Sequence, residues 1–206
     1  MDSLSRSSMP NPAETLLAAC EMIASSDLDG AASIIRERYP FERLTNAGRT
    51  YTPYQSLQVF LRDGFVDRYS GAKLVNPAVL RLLSALIPNE FPAHPNWKQS
   101  ESHIAFWELF PTIDHILPVA RGGPDNAENW VTTSMLHNSA KSNALLDEIG
   151  WTLHPVGNLD EWDGLTTWLI NYVAGSDDLA SLTEKSQRHK KYIQRWARAS
   201  ARALNG

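Results

Sequence analysis

Residues 112–143 limit what this chain can become more than any other stretch. They line up a short strand, a glycine turn, a second strand and a polar helix in a span with room for little else. The first piece, Thr112-Ile113-Asp114-His115-Ile116, is apolar and β-branched apart from its acid–histidine pair, as a half-buried strand requires. Leu117-Pro118 ends it, Gly122-Gly123 marks a turn, and Asn129 precedes a second strand over Trp130-Val131-Thr132. A polar helix carrying His137, Asn138 and Lys141 follows. A carboxylate, an imidazole and an amide thus fall within one small unit. Those groups suffice to hold one hard cation beside a general base.

The rest of the chain narrows the surroundings of that unit. Two hundred and six residues, 43% apolar with seven tryptophans, predict a packed core and one principal domain with helical extensions. Cys20 is the single cysteine, so an internal disulfide and a four-cysteine zinc site are excluded. No charged leader with a long apolar run is evident, which predicts a soluble, cytoplasmic protein and no membrane partner. The net charge of −4 argues against a uniformly basic nucleic-acid binder and makes the placement of charge more informative than its sum.

The ordered set Asp114-His115-Ile116, Pro118, Gly122-Gly123, Asn129, His137-Asn138 and Lys141 resembles the HNH (ββα-metal) nuclease motif. Asn129 lies fifteen residues after Asp114, Asn138 nine after that, and Lys141 three further on, which is similar to the family's spacing. The resemblance implies an α+β fold, predominantly helical, with a ββα-metal core embedded in helical N- and C-terminal extensions. It implies a metal-dependent endonuclease hydrolysing phosphodiester bonds in DNA, in restriction or defence. His115 would be the general base, and Asp114 with the Asn138 side-chain oxygen would be the protein ligands of Mg²⁺, with Mn²⁺ as substitute. Asn129 would brace the connecting loop and so orient His115. Lys141 would contact phosphate or support the metal site. Consecutive strand residues face opposite sides, so a distorted strand end is expected at Asp114-His115.

His137 is the alternative helix-borne ligand. Adjacent helical residues diverge by about 100°, and the gap to Lys141 favours Asn138. A zinc site of His115, His137 and an acid is a weaker alternative, and structural zinc is not expected. Many family members brace the unit with paired Cys-x-x-Cys knuckles; here Asp67-Arg68-Tyr69-Ser70-Gly71 resembles a knuckle without its thiols. Since one such unit cuts one strand, double-strand cleavage calls for a homodimer or two sequential events. Two other classes stay open: a non-catalytic nucleic-acid-binding module of the same fold, and a nuclease directed at RNA or acting as a toxin.

Periodicity and capping residues predict the other elements. Helices are expected from Ala13 to Ala24 with Leu16, Leu17, Cys20 and Ile23 inward, and from Leu28 to Arg38 with Ala31, Ile34 and Ile35 inward. Pro53 behind Thr52 predicts a helix start, and Phe65–Val75 a hairpin. Further helices are expected over Pro77–Leu86, Ser102–Phe110, Asp160–Val173 and from Asp177-Asp178 to Leu204, with a loop over Pro88–Gln99. In the last helix Lys185, Arg188, Lys191, Arg195, Arg198 and Arg202 recur at gaps of three and four, a single face suited to tracking a phosphate backbone. The opposite face carries His189, Ile193, Trp196 and Ser200. The domain plan is 1–50 helical, 51–155 around the motif, and 156–206 C-terminal helices.

Overall fold

The computed structural model describes residues 11–41, 50–176 and 187–205. Lys185 and the Asp177-Asp178 start expected for the last helix lie outside them. The fold is α+β: about half of the described residues are helical, and two strands form one antiparallel sheet. The chain divides into two compact units, Met1–Gly48 and Arg49–Gly206. Among the described residues no helix is long and apolar enough to cross a membrane.

In the first unit, α1 (Pro12–Ala24) and α2 (Leu28–Arg38) pack on each other. The Asn11 carboxamide oxygen accepts from Ala13 N at 3.0 Å, and the Asp27 carboxylate from Gly30 N at 2.9 Å, so each helix starts on a capping side chain. The buried face of α1 is Thr15 and Ala19, against Ala31 and Ile34 of α2. This corrects the inward face expected for α1: Leu16, Leu17, Cys20 and Ile23 are exposed. The small Ala19 and Ala31 fill the seam between the helices and turn the larger side chains outward.

The second unit is built on α3 (Pro53–Arg62), α4 (Pro77–Leu86), α7 (Thr166–Gly175) and α8 (Gln187–Leu204). Thr52 and Gln55 form a reciprocal capping box at the α3 start. Helix α8 packs against α3, α4 and α7 through Ile193, Trp196, Ala197 and Ser200, and the Trp196 ring stacks on Phe60 at 6.4 Å between centroids. Burying a side chain such as Ile193 or Phe60 contributes about 1.5–3 kcal/mol. Leu57, Leu80, Leu82, Phe106 and Leu169 complete the core.

Between α4 and the strands the chain is mostly loop. Ala105–Glu108 forms a short α-helix, α5, in place of the longer one expected over Ser102–Phe110. Phe106 is buried there, while Trp97 meets Phe106, Trp107 and Phe110 edge-on, so ring packing rather than helix repeat fixes this segment. Strand β1 (Pro111–His115) pairs with β2 (Trp130–Ser134), and α6 (Met135–Lys141) follows directly. Helix α6 packs on both strands, and α3 packs on them too. The Phe65–Val75 segment closes through one bridge, Val66 to Lys73, rather than a full hairpin. Helix α7 starts later than expected. The Asp163 carboxylate, not Asp160, accepts from Thr166 N and Thr167 N at 3.1 and 2.8 Å, while the Trp162 indole donates to Leu74 O.

Candidate functional site

The register of the two strands sets the site. Asp114 lies opposite Val131 and His115 opposite Trp130, with Ile116 N still bonding Asn129 O at 2.9 Å. The strand is therefore regular through His115, and the distortion expected there is absent. Alternation then gives the two neighbours separate surroundings.

Asp114 is nearly buried, on the side that meets α6. Its Oδ2 accepts from the Tyr69 hydroxyl at 2.7 Å and faces Lys141 Nζ at 3.0 Å. Lys141 has no exposed side-chain surface, and its ammonium also donates to the His115 carbonyl at 2.8 Å. A buried ammonium needs such partners, because leaving it unpaired costs on the order of several kcal/mol. The burial corrects one expectation: Lys141 cannot reach a phosphate from this position and instead ties Asp114 to the backbone of His115. Burial, the Asp114 charge and the Asp114 hydrogen bond all raise the Tyr69 phenol, which keeps its proton as a donor.

Asn138, also on α6, donates through Nδ2 to Thr112 Oγ1 at 2.9 Å and to Ile113 O at 3.3 Å. With the amide nitrogen committed to β1, its Oδ1 is the atom left for a ligand. Asp114 Oδ1 likewise makes no hydrogen bond among the described residues. Two such oxygens fit the donor chemistry of a hard divalent cation that keeps several waters. The adjacent Lys141 ammonium lowers the charge such a site offers, so binding would be weak.

His137 is occupied elsewhere. Its Nδ1 lies 2.7 Å from Asp67 Oδ2 and 3.1 Å from Ser134 Oγ. Asp67 is fully buried and also accepts from Tyr69 N, Thr133 Oγ1 and Ser134 N at 2.9–3.0 Å. The weaker zinc set is accordingly not assembled: His115 and His137 sit on different carboxylates, and among the described residues no three His, Cys, Asp or Glu side chains are grouped to hold a metal.

His115 is nearly buried on the other side of the hairpin. Its Nε2 lies 2.8 Å from Asp125 Oδ1 and 3.1 Å from the Trp130 indole nitrogen. The connecting loop is held by Asn129, which accepts from Leu117 N at 2.9 Å and donates to Leu117 O and Pro124 O at 2.8 Å each. Both glycines of the turn are required. Gly122 has φ +88°, and a Cβ on Gly123 would come within 1.9 Å of Leu117 O.

The structure thus brings Asp114, Asn138 and Lys141 together on one side of β1, with His115 beside them on the other and Asn129 in the loop. Arg188, Lys191, Arg195, Arg198 and Arg202 are exposed on α8 of the same unit. Sequence reasoning missed Asp125 and gave Asp67 and Tyr69 no role beyond the knuckle without thiols. Asp125 reads as an ordinary turn residue after Gly-Gly-Pro, and only its position three residues past Gly122 in a loop that returns to His115 hinted otherwise. Compared with protein-family models, curated proteins and solved structures, the chain matches none.

Proposed function

We propose that this chain is a divalent-metal-dependent endonuclease of the HNH (ββα-metal) class that hydrolyses phosphodiester bonds in DNA. The observation that carries this reading is the convergence of Asp114, Asn138 and Lys141 between β1 and α6, with His115 next in the strand. Asp114 Oδ1 and Asn138 Oδ1 would hold Mg²⁺, or Mn²⁺ in its place. Such an ion supplies positive charge for the phosphate and leaving oxygens when bound.

The protein's own groups supply the remainder. His115 takes the proton of the attacking water as general base. Lys141 fixes the spacing of Asp114 from the strand backbone, and the Tyr69 hydroxyl holds the same carboxylate oxygen. Asn129 keeps the loop after β1 closed. Cations along α8 would bind flanking phosphates. A role in restriction or defence is analogy from the family alone.

Plasmid nicking in Mg²⁺, Mn²⁺ and EDTA tests the proposal. Wild-type protein should nick with either metal and not in EDTA, and His115→Ala should lose about 100-fold or more in rate, the scale of general-base catalysis. Undiminished cleavage by that variant would remove His115 as base. Equal DNA binding with and without Mg²⁺, with no nicking, would favour a non-catalytic binding module. Preferential cleavage of RNA would move the substrate assignment.

A further inference from the structure

We propose that Asp125 is a positioning residue that holds the His115 ring in one orientation and one tautomer, with the proton on Nε2 and the lone pair on Nδ1. Its consequence for cleavage rests on the nuclease reading above; its geometry does not.

Three side chains converge on a single oxygen. Asp125 Oδ1 lies 2.8 Å from His115 Nε2, 2.9 Å from the Trp130 indole nitrogen and 3.1 Å from the Tyr51 hydroxyl. The indole N–H can only donate, and a phenol facing a carboxylate donates as well. The His115 contact chiefly, with Trp130 and Tyr51, holds the Asp125 carboxyl below the ordinary carboxylate range, so it is an acceptor only. An acceptor-only oxygen at hydrogen-bond distance from Nε2 requires a proton on that nitrogen, because two lone pairs would otherwise meet.

One contact favours the opposite tautomer. The Trp130 N–H also lies 3.1 Å from Nε2, to which it could donate if Nε2 carried the lone pair. The carboxylate decides the matter. It offers the same N–H a nearer acceptor, at 2.9 Å, and its bond to the imidazole N–H is charge-assisted. With Nε2 protonated, Nδ1 is the ring's only basic nitrogen.

Asp125 is itself held from both sides. Asn129 Nδ2 donates to the carbonyl of Pro124, and Asn129 N bonds Asn126 through its carbonyl and its Oδ1 at 3.1 and 3.2 Å. Tyr51 and Trp130 also meet edge to face at 5.1 Å, closing the wall around the carboxylate. Asn129 therefore acts on His115 through a defined path: it fixes residues 124 and 126, and these present Asp125 to the ring. This is more than a surface ion pair, which alone contributes little. The Asp125 side chain is 43% exposed, but its imidazole partner is 8% exposed.

Long-range ¹H–¹⁵N correlation of the histidine rings in the full-length protein tests the idea, at a pH where the ring is neutral, with His115→Gln identifying the His115 signals. Wild type should show Nε2 protonated and Nδ1 as the lone-pair nitrogen. Asp125→Ala should give a mixture of tautomers, and Asp125→Asn, which keeps an oxygen acceptor, should retain most of the wild-type pattern. Under saturating DNA, nicking by Asp125→Ala should fall about 10- to 100-fold, as for other residues that orient a reactive group, with half-saturation unchanged and partial rescue in Asp125→Asn. A wild-type ring protonated on Nδ1, or an unaltered ring spectrum in Asp125→Ala, would overturn the proposal. If wild type does not nick at all, the nuclease reading fails, and the tautomer still decides the role of Asp125.

Discussion

At the scale of single residues, Asp67 organises more of the site's frame than any residue in the 112–143 stretch. It joins the loop after α3 to the end of β2 and the start of α6, through Tyr69 N, Thr133 Oγ1, Ser134 N and His137 Nδ1. Burial pushes its carboxyl up, but His137 and the Tyr69 and Ser134 donors outweigh that, and it sits below its ordinary range. The sign follows from this direction. A depressed folded-state pKa stabilises above the unfolded value, near about 4, and the contribution is lost as pH falls through the folded value. Asp67→Asn should therefore cost about 3 kcal/mol at neutral pH, as when a buried pair is broken. The gap to wild type should narrow below about pH 4. Urea melts from pH 7 down to the acid limit measure this, and a gap independent of pH would show that the charge of Asp67 is immaterial. The motif stretch was legible as two strands and a helix because its periods are local. The Asp67–His137 pair was not, since the partners stand 70 residues apart and neither is unusual alone. In a chain with one cysteine, this hydrogen-bonded carboxylate supplies bracing at the segment where the sequence suggested a knuckle without thiols.

At the scale of elements, the helix starts were the most readable features and the loops between them the least. Asp27, Thr52 with Pro53, and Asn76 with Pro77 all announce their helices through local chemistry. The errors over Ser102–Phe110 and Asp160–Val173 arose where tryptophan and phenylalanine look periodic but serve loop packing, as Phe110 and Trp162 do. Asn76 goes beyond capping. Its Oδ1 accepts from Ala78 N at 3.0 Å, and its Nδ2 donates to Thr166 Oγ1 and Ser200 Oγ at 3.2 and 3.1 Å, joining the starts of α4 and α7 to α8. All three side chains are buried, so removing the amide leaves two hydroxyls short of a partner. Asn76→Ala should destabilise by about 2–4 kcal/mol, combining a lost cap with unsatisfied buried groups. Ser200→Ala should cost only about 1 kcal/mol. Chemical denaturation ranks the two; equal losses would mean that Asn76 does not act as the shared hub.

At the scale of the whole molecule, charge is sorted rather than balanced. The chain carries a net −4, yet the sequence of α8 holds six cations and no acid. Its inner face is fixed by Ile193, Trp196, Ala197 and Ser200, so the helix cannot roll, and Arg188, Lys191, Arg195 and Arg198 are committed to solvent. Arg202 differs, because its guanidinium lies 4.2 Å over the Tyr54 ring and helps to pin α8 to α3. Arg195 and Arg198 are therefore the better probes of electrostatics: both are exposed, and the one ring beside Arg195, Tyr192 at 5.9 Å, belongs to α8 itself. Reversing both to Glu should leave the stability to denaturant nearly unchanged, within the roughly 0.5 kcal/mol typical of surface changes. DNA affinity should fall at low salt. The plot of log affinity against log salt should become shallower by about 0.9 for each phosphate that is no longer neutralised, or roughly 2 if both arginines engage. Fluorescence anisotropy with a labelled duplex across a salt series reads both quantities. An unchanged slope would take this face out of the interface and leave phosphate binding to groups nearer His115. A shallower slope would set the solvent-facing side of α8 as the surface along which the backbone runs toward the β1–α6 site.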